Sequence, residues 1–158
     1  MSVLEFCRWV QYAPPLVAMR QSPWVFPVVA TVHLMGLALI GGAVLVVDLR
    51  LLGLGLRQQP VAPLARDAER WLFRGLLVMV STGALLFMCF ATKYYYLTFF
   101  WVKMAALCLV VAFTLSVHRR VAMARDADVA PVWCKFVALV SLSLWTTVAV
   151  GGRWIGFP

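Results

Sequence analysis

Residues 24–47 read WVFPVVATVHLMGLALIGGAVLVV, a stretch without an acidic, lysine or arginine side chain, and His33 is its one titratable group. A helix of that length rises about 36 Å, enough to cross a hydrocarbon core of about 30 Å. Ser22 and Pro23 stand just ahead of it. Serine caps a helix start, and proline at the first helical position sacrifices no hydrogen bond. Three more apolar stretches follow at about 71–90, 97–117 and 133–152. Each is near the ~20 residues a spanning helix needs. Backbone amides in lipid leave helix as the sensible conformation for all four. The sequence therefore predicts an all-α integral membrane four-helix bundle, one transmembrane domain over residues 1–158.

Composition points the same way. The chain is 64% hydrophobic and 13% charged, against about 25% charged in soluble domains. So few charges cannot cover that much apolar surface in water, and the lipid bilayer is the expected surrounding. The net charge of +8 would suit nucleic acid if it formed a patch. It does not: the cations fall between the apolar stretches, and no nucleic-acid role is expected. The segment from Asp48 to Arg74 carries Arg50, Arg57, Arg66, Arg70 and Arg74, and the segment from His118 to Lys135 carries Arg119, Arg120, Arg125 and Lys135. That bias predicts both termini outside, with the Lys93–Thr98 hairpin on their side.

Ahead of the first span, Val3, Phe6, Cys7 and Val10 share a helical face opposite Glu5, Arg8 and Gln11. A short interfacial helix over about 2–12 is expected, ended by Pro14-Pro15. The same polar residues and prolines break up any cleavable signal. Pro63 is expected to open a helix whose first turns carry Arg66, Asp67, Glu69 and Arg70 in solvent. Cys7, Cys89, Cys108 and Cys134 have no CxxC or zinc spacing, so a disulfide scaffold is not expected. The hairpin KYYYLTFFW, residues 93–101, is rich in rings that favour the headgroup layer. It also offers a docking face for a partner or a quinone.

Shifting the chain by seventy residues aligns the first and third spans without a gap. Val32-His33-Leu34 falls on Val102-Lys103-Met104, Asp48 on His118 and Arg50 on Arg120. This predicts a parallel repeat about an axis along the membrane normal, with His33 and Lys103 at similar depth on facing helices.

An ionisable group within a span is a functional hypothesis by default. His33 has Gly36 one turn on, leaving room for a flat cofactor or for another helix. Structural hydrogen bonding, haem or metal ligation and proton relay are all open to it. Lys103 can snorkel to the surface, and Arg153 follows Gly151-Gly152 at the end of the fourth span. Together the two cations suit carboxylates such as haem propionates. His118 ends the third span some 15 Å or more from His33 in depth, so it cannot share an iron with His33 within one chain. Met35, Met88, Met104 and Cys89 are soft ligands that suit Cu(I). No acidic residue lies well inside a span, and no nucleophile–base pair, HExxH or phosphate loop is present. Independent catalytic activity is not expected.

The run from Pro15 to Trp24, His33-Leu34-Met35-Gly36, Asp48 to Gly53, Lys103-Met104, His118 and Ser143 to Trp154 resemble an uncharacterised family of short bacterial four-helix membrane proteins. That pattern has an acidic residue three positions before the histidine, where this chain has Ala30. The resemblance implies a bacterial inner membrane and, with the charge bias, periplasmic termini. More distantly, His33 with its glycines and Lys103 opening a span that ends in Arg119-Arg120 are similar to CopD-type copper-resistance domains and HemJ-type protoporphyrinogen oxidases. These imply copper handling or haem-linked redox work.

The leading expectation is a small inner-membrane subunit binding a b-type haem, or serving a redox complex, near the outer face. His33 would be the ligand and metal contact, with Gly36, Lys103 and Arg153 completing the cofactor site. A structural or assembly subunit of a larger membrane complex or homo-oligomer is the second reading, and a copper or small-solute permease the third.

Overall fold

The protein, seen in a computed structural model, is described over residues 2–54, 60–124 and 131–155. Arg57 and Arg125, two of the cations that set the expected orientation, lie outside the described residues. Helix α1 spans Val3–Gln11, α2 Pro14–Gln21, α3 Val25–Leu52, α4 Val61–Cys89, α5 Ala91–Tyr96 and α6 Thr98–Phe113. A π-helical turn, Thr114–His118, joins α6 to α7, Arg119–Met123, and α8 spans Pro131–Trp154. The described residues contain no strand. Four rods, with α6 and α7 counted as one, are long and apolar enough to cross a membrane. Their outer faces are apolar in the extreme: Leu34 is 62% exposed, Leu77 70% and Leu109 62%. In water such surfaces would aggregate; in lipid they are solvated.

The rods overshoot the apolar stretches. The 28 residues of α3 rise about 42 Å, beyond the ~30 Å hydrocarbon core. The first span thus runs past Val47 and takes in Asp48. Gly53 ends it with φ 77°, and Leu54 N–H donates to the Leu49 carbonyl at 2.9 Å, a Schellman closure that glycine adopts without strain. At the start, Ser22 Oγ accepts from the N–H groups of Trp24 and Val25, as a cap does. Pro23 stands before the helix and not at its first turn.

The N-terminal segment departs from expectation. Helix α1 forms as predicted, opened by Ser2 and Glu5, each accepting from the other's backbone N–H. But Pro14-Pro15 begin a second helix, since proline is tolerated in a first turn where no amide has a partner. From α2, Arg20 donates to the Cys89 carbonyl at 3.1 Å, covering the C-terminal end of α4. From α1, Gln11 accepts from Thr92 N–H at 2.9 Å. The two short helices form a cap over one end of the bundle, here called the N-terminal pole. The opposite end, bearing most of the arginines, is the arginine pole.

Around the ring, α3 packs against α4 and α8, α6 packs against α8, and α7 closes onto α4. This places α3 diagonally across from α6. The tightest seam joins α3 to α4 through facing glycines. A Cβ on Gly75 would stand 2.7 Å from Ile40 Cγ1 and 3.1 Å from the Gly36 carbonyl. Small residues let spanning helices approach in this way where no hydrophobic force acts between them. Two apolar layers result. Ile40, Val44, Leu72, Met79, Val110 and Trp145 belong to one; Val47, Leu51, Ala65, Val121 and Val137 to the other.

Gly75→Ala is expected to lower stability by about 1–3 kcal/mol through overpacking. Gly41→Ala, with nothing within 4 Å of the new methyl, should be neutral or stabilising by up to about 1 kcal/mol. Thermal unfolding of the two variants in detergent measures the contrast.

Candidate functional site

Polar side chains enter the bundle at two levels. At the N-terminal pole, His33 Nδ1 lies 3.0 Å from Thr82 Oγ1 on α4. The Thr82 hydroxyl donates its own proton to the Val78 carbonyl at 2.6 Å, so it can only accept from the ring. The imidazole therefore carries its proton on Nδ1, and Nε2 presents a lone pair outside that bond. A hydrogen bond to the other ring nitrogen is how proteins fix a histidine for ligation or base work. The ring lies against Gly83, where a Cβ would come within 3.1 Å of Cε1. A methyl there would press on the imidazole.

Gly36 has a different place. A Cβ on it would meet Val78 Cγ1 at 3.2 Å and the Gly75 carbonyl at 3.3 Å. Of the two occupants open to the space beside Gly36, helix α4 is the one present. Gly83, on the neighbouring helix, is the glycine next to the histidine.

Lys103 lies at the same level from the far side of the ring. Its stem runs along α8, with Cβ 3.4 Å from a Cβ built on Gly151 and Nζ 3.3 Å from one on Gly152. The diglycine ahead of Arg153 thus makes a groove for the lysine, leading it toward the pole. His33 and Lys103 are near enough for their charges to act on one another, as the seventy-residue shift anticipated. Arg153 is exposed at the end of α8. The soft ligands do not join this group. Cys89 is buried beneath α2, its thiol against the Leu16 carbonyl, and six residues beyond Gly83, about 9 Å along the helix. Met35 is 66% exposed. Among the described residues no three of His, Cys, Asp and Glu gather as a metal site.

The aromatic hairpin is packed mostly against itself. Phe87, Tyr94 and Phe100 stack with centroids 5.2–6.3 Å apart, and Trp101 Nε1 donates to the Tyr95 carbonyl at 3.0 Å. Tyr96 and Trp101 keep exposed faces.

The second level was only half visible in the sequence. Asp48, expected to lie outside a span, is fully buried inside α3, and His118 Nε2 stands 2.7 Å from its Oδ1. Thr114 and Ser141 are buried beside this level, and the remaining Asp48 oxygen and both hydroxyls lack a protein partner. Asp48 is fifteen residues past His33, about 22 Å along α3. The two imidazoles serve separate sites, as the depth argument required. The seventy-residue shift superposed Asp48 on His118 and was the signal for their contact. Thr82, Gly83, Thr114 and Ser141 carried no such signal.

With both levels described, the chain can be placed. It belongs to the family of unknown function DUF6644. The family model matches residues 25–158, leaving α1 and α2 outside it, whereas the likeness read from the sequence began at Pro15. No curated protein and no solved structure matches the chain.

In this DUF6644 protein the two histidines should answer differently to substitution. In histidine-labelled protein, ¹⁵N resonances should show His33 protonated on Nδ1, and Thr82→Val should abolish that preference. His118→Ala strands the buried Asp48 carboxylate and should cost about 3–5 kcal/mol, far more than Asp48→Asn, which keeps an acceptor for the ring. Chemical or thermal unfolding tests the order.

Proposed function

We propose that the protein is a small bacterial inner-membrane subunit that holds a b-type haem at its N-terminal pole, with both termini periplasmic, in service of a redox complex. The observation that carries this reading is the state of His33. Its Nδ1 stands on the Thr82 hydroxyl, an arrangement that leaves Nε2 as a Lewis base, and a lysine ammonium lies at the same level. Neutral imidazole is the usual protein ligand of haem iron, and cations are the usual partners of its propionates.

The donor set fits the group. His33 would ligate the iron through Nε2, Thr82 would hold the ring in that tautomer, and Lys103 and Arg153 would take the carboxylates. Bound haem supplies one-electron exchange. The protein's own part is to orient the imidazole, to keep the lysine against Gly151 and Gly152, and to surround both with apolar side chains. His118, at the other level of the bundle, would play no part in holding the group. A copper site is less favoured because Cys89 and Met35 are directed elsewhere.

Protein expressed with haem supplied and purified in detergent should show a Soret band. His33→Ala should remove it, Lys103→Met should reduce haem occupancy severalfold, and Met35→Leu should leave it unchanged. A colourless wild-type protein, or copper found by elemental analysis and lost in His33→Ala, overturns the assignment.

A further inference from the structure

The pair at the arginine pole has no part in that reading, and its surroundings are not those of a simple staple. Asp48, Thr114, His118 and Ser141 form a polar layer between the two apolar clusters. A cavity of ≈ 40 Å³ adjoins it, lined by Val44, Val47, Leu72, Thr114 and His118 and reaching Glu69 and Arg119. That volume holds roughly three or four waters at ~10–15 Å³ each. Glu69 and Arg119 form an ion pair at 3.0 Å whose side chains are 24% and 57% exposed, so the cavity leads toward the charged end of the bundle. Thr114 Oγ1, more than nine-tenths buried, has no protein partner. Orphaned buried hydroxyls beside a void are where internal water is found.

We propose that Asp48 and His118 form a proton-binding site inside the bundle, hydrated through this cavity from the arginine pole. With imidazole neutral, Nε2–H donates to Asp48 and Nδ1 holds a lone pair. The pair then carries one uncompensated buried negative charge. A hydronium arriving along the cavity waters gives its proton to Nδ1 and leaves as water. The product is an imidazolium against a carboxylate, with no net charge. Release returns the proton by the same waters, and no other reactant is needed. The low-dielectric walls above and below magnify the gain from this neutralisation.

Charged groups at this level come from several helices: Arg50 two residues beyond Asp48 on α3, Glu69 on α4 and Arg119 on α7. From α8, Ser141 contributes a neutral hydroxyl. Glu69 and Arg119 cancel one another at the mouth, so the buried carboxylate remains the charge a proton answers.

The π-helical turn is what makes the site. Ala106, Val110, Thr114, His118 and Ala122 are all buried, at a constant spacing of four. In a regular α-helix each step of four overshoots a turn by about 40°, and four steps by about 160°. The wider π turn absorbs much of that drift, so Thr114 and His118 face inward together. Such turns recur at functional sites.

The chain has two histidines, so ¹⁵N-histidine labelling in lipid bilayers gives two imidazoles, told apart with His33→Ala. In wild-type protein, the His118 ring should receive magnetisation from water and change protonation state reversibly across the pH range in which the fold persists. Thr114→Val should weaken the water transfer severalfold while the Asp48 bond persists. A His118 ring that is dry, or wet but held in one protonation state across that range, overturns the proposal. So does Thr114→Val with unaltered water transfer.

Discussion

A polar group in hydrocarbon must find its partner inside the protein, and this bundle is organised by where its few polar side chains find theirs. His33 is held by Thr82, and Asp48 is paired with His118 across the ring diagonal. Lys103 is steered along a diglycine groove. Each solution uses a different pair of helices, and together they fix the vertical register of all four rods. Apolar side chains could slide past one another by a turn at little cost. A buried carboxylate facing an imidazole could not, because losing the contact leaves the charge unpaired.

Close packing does the rest, and it is unequal around the ring. The α3–α4 seam closes on Gly36 and Gly75, backbone against backbone, and the α6–α8 seam closes on Lys103 lying over Gly151 and Gly152. The two halves repeat in polar register and differ in what fills the seam: a bare glycine contact in one, a lysine stem in the other. The second half also carries the π turn. A repeat that kept its depth relations while its seams diverged is what two distinct sites, one at each pole, would require.

Much of this was legible in the sequence, because hydropathy reports the solvent and charge reports the ends. The four rods and the interfacial α1 follow from apolar length and one amphipathic face. Helix α2 did not follow, since Pro14-Pro15 reads equally well as a stop or as a start. The apolar stretch stops at Val47, and a lone aspartate after it reads as the edge of a span. That boundary hid the most consequential acidic residue, although the seventy-residue shift had set it on His118. Thr82, Thr114 and Ser141 were invisible for a simpler reason. Hydroxyls are common in spanning helices, where most bond their own backbone as Ser81, Ser116 and Ser143 do, and only packing tells which turn inward.

The pairing of a fixed tautomer at one pole with a buried carboxylate–imidazole at the other sets the two histidines in opposite roles. His33 gives its Nδ1 proton to a neutral hydroxyl, so a positive ring there would stand uncompensated near the Lys103 ammonium. His118 directs Nε2 at a carboxylate, and a positive ring there is compensated at contact distance. One environment suits a ligand and the other suits a proton, and the difference comes from a single choice of partner on each helix: threonine for His33, aspartate for His118.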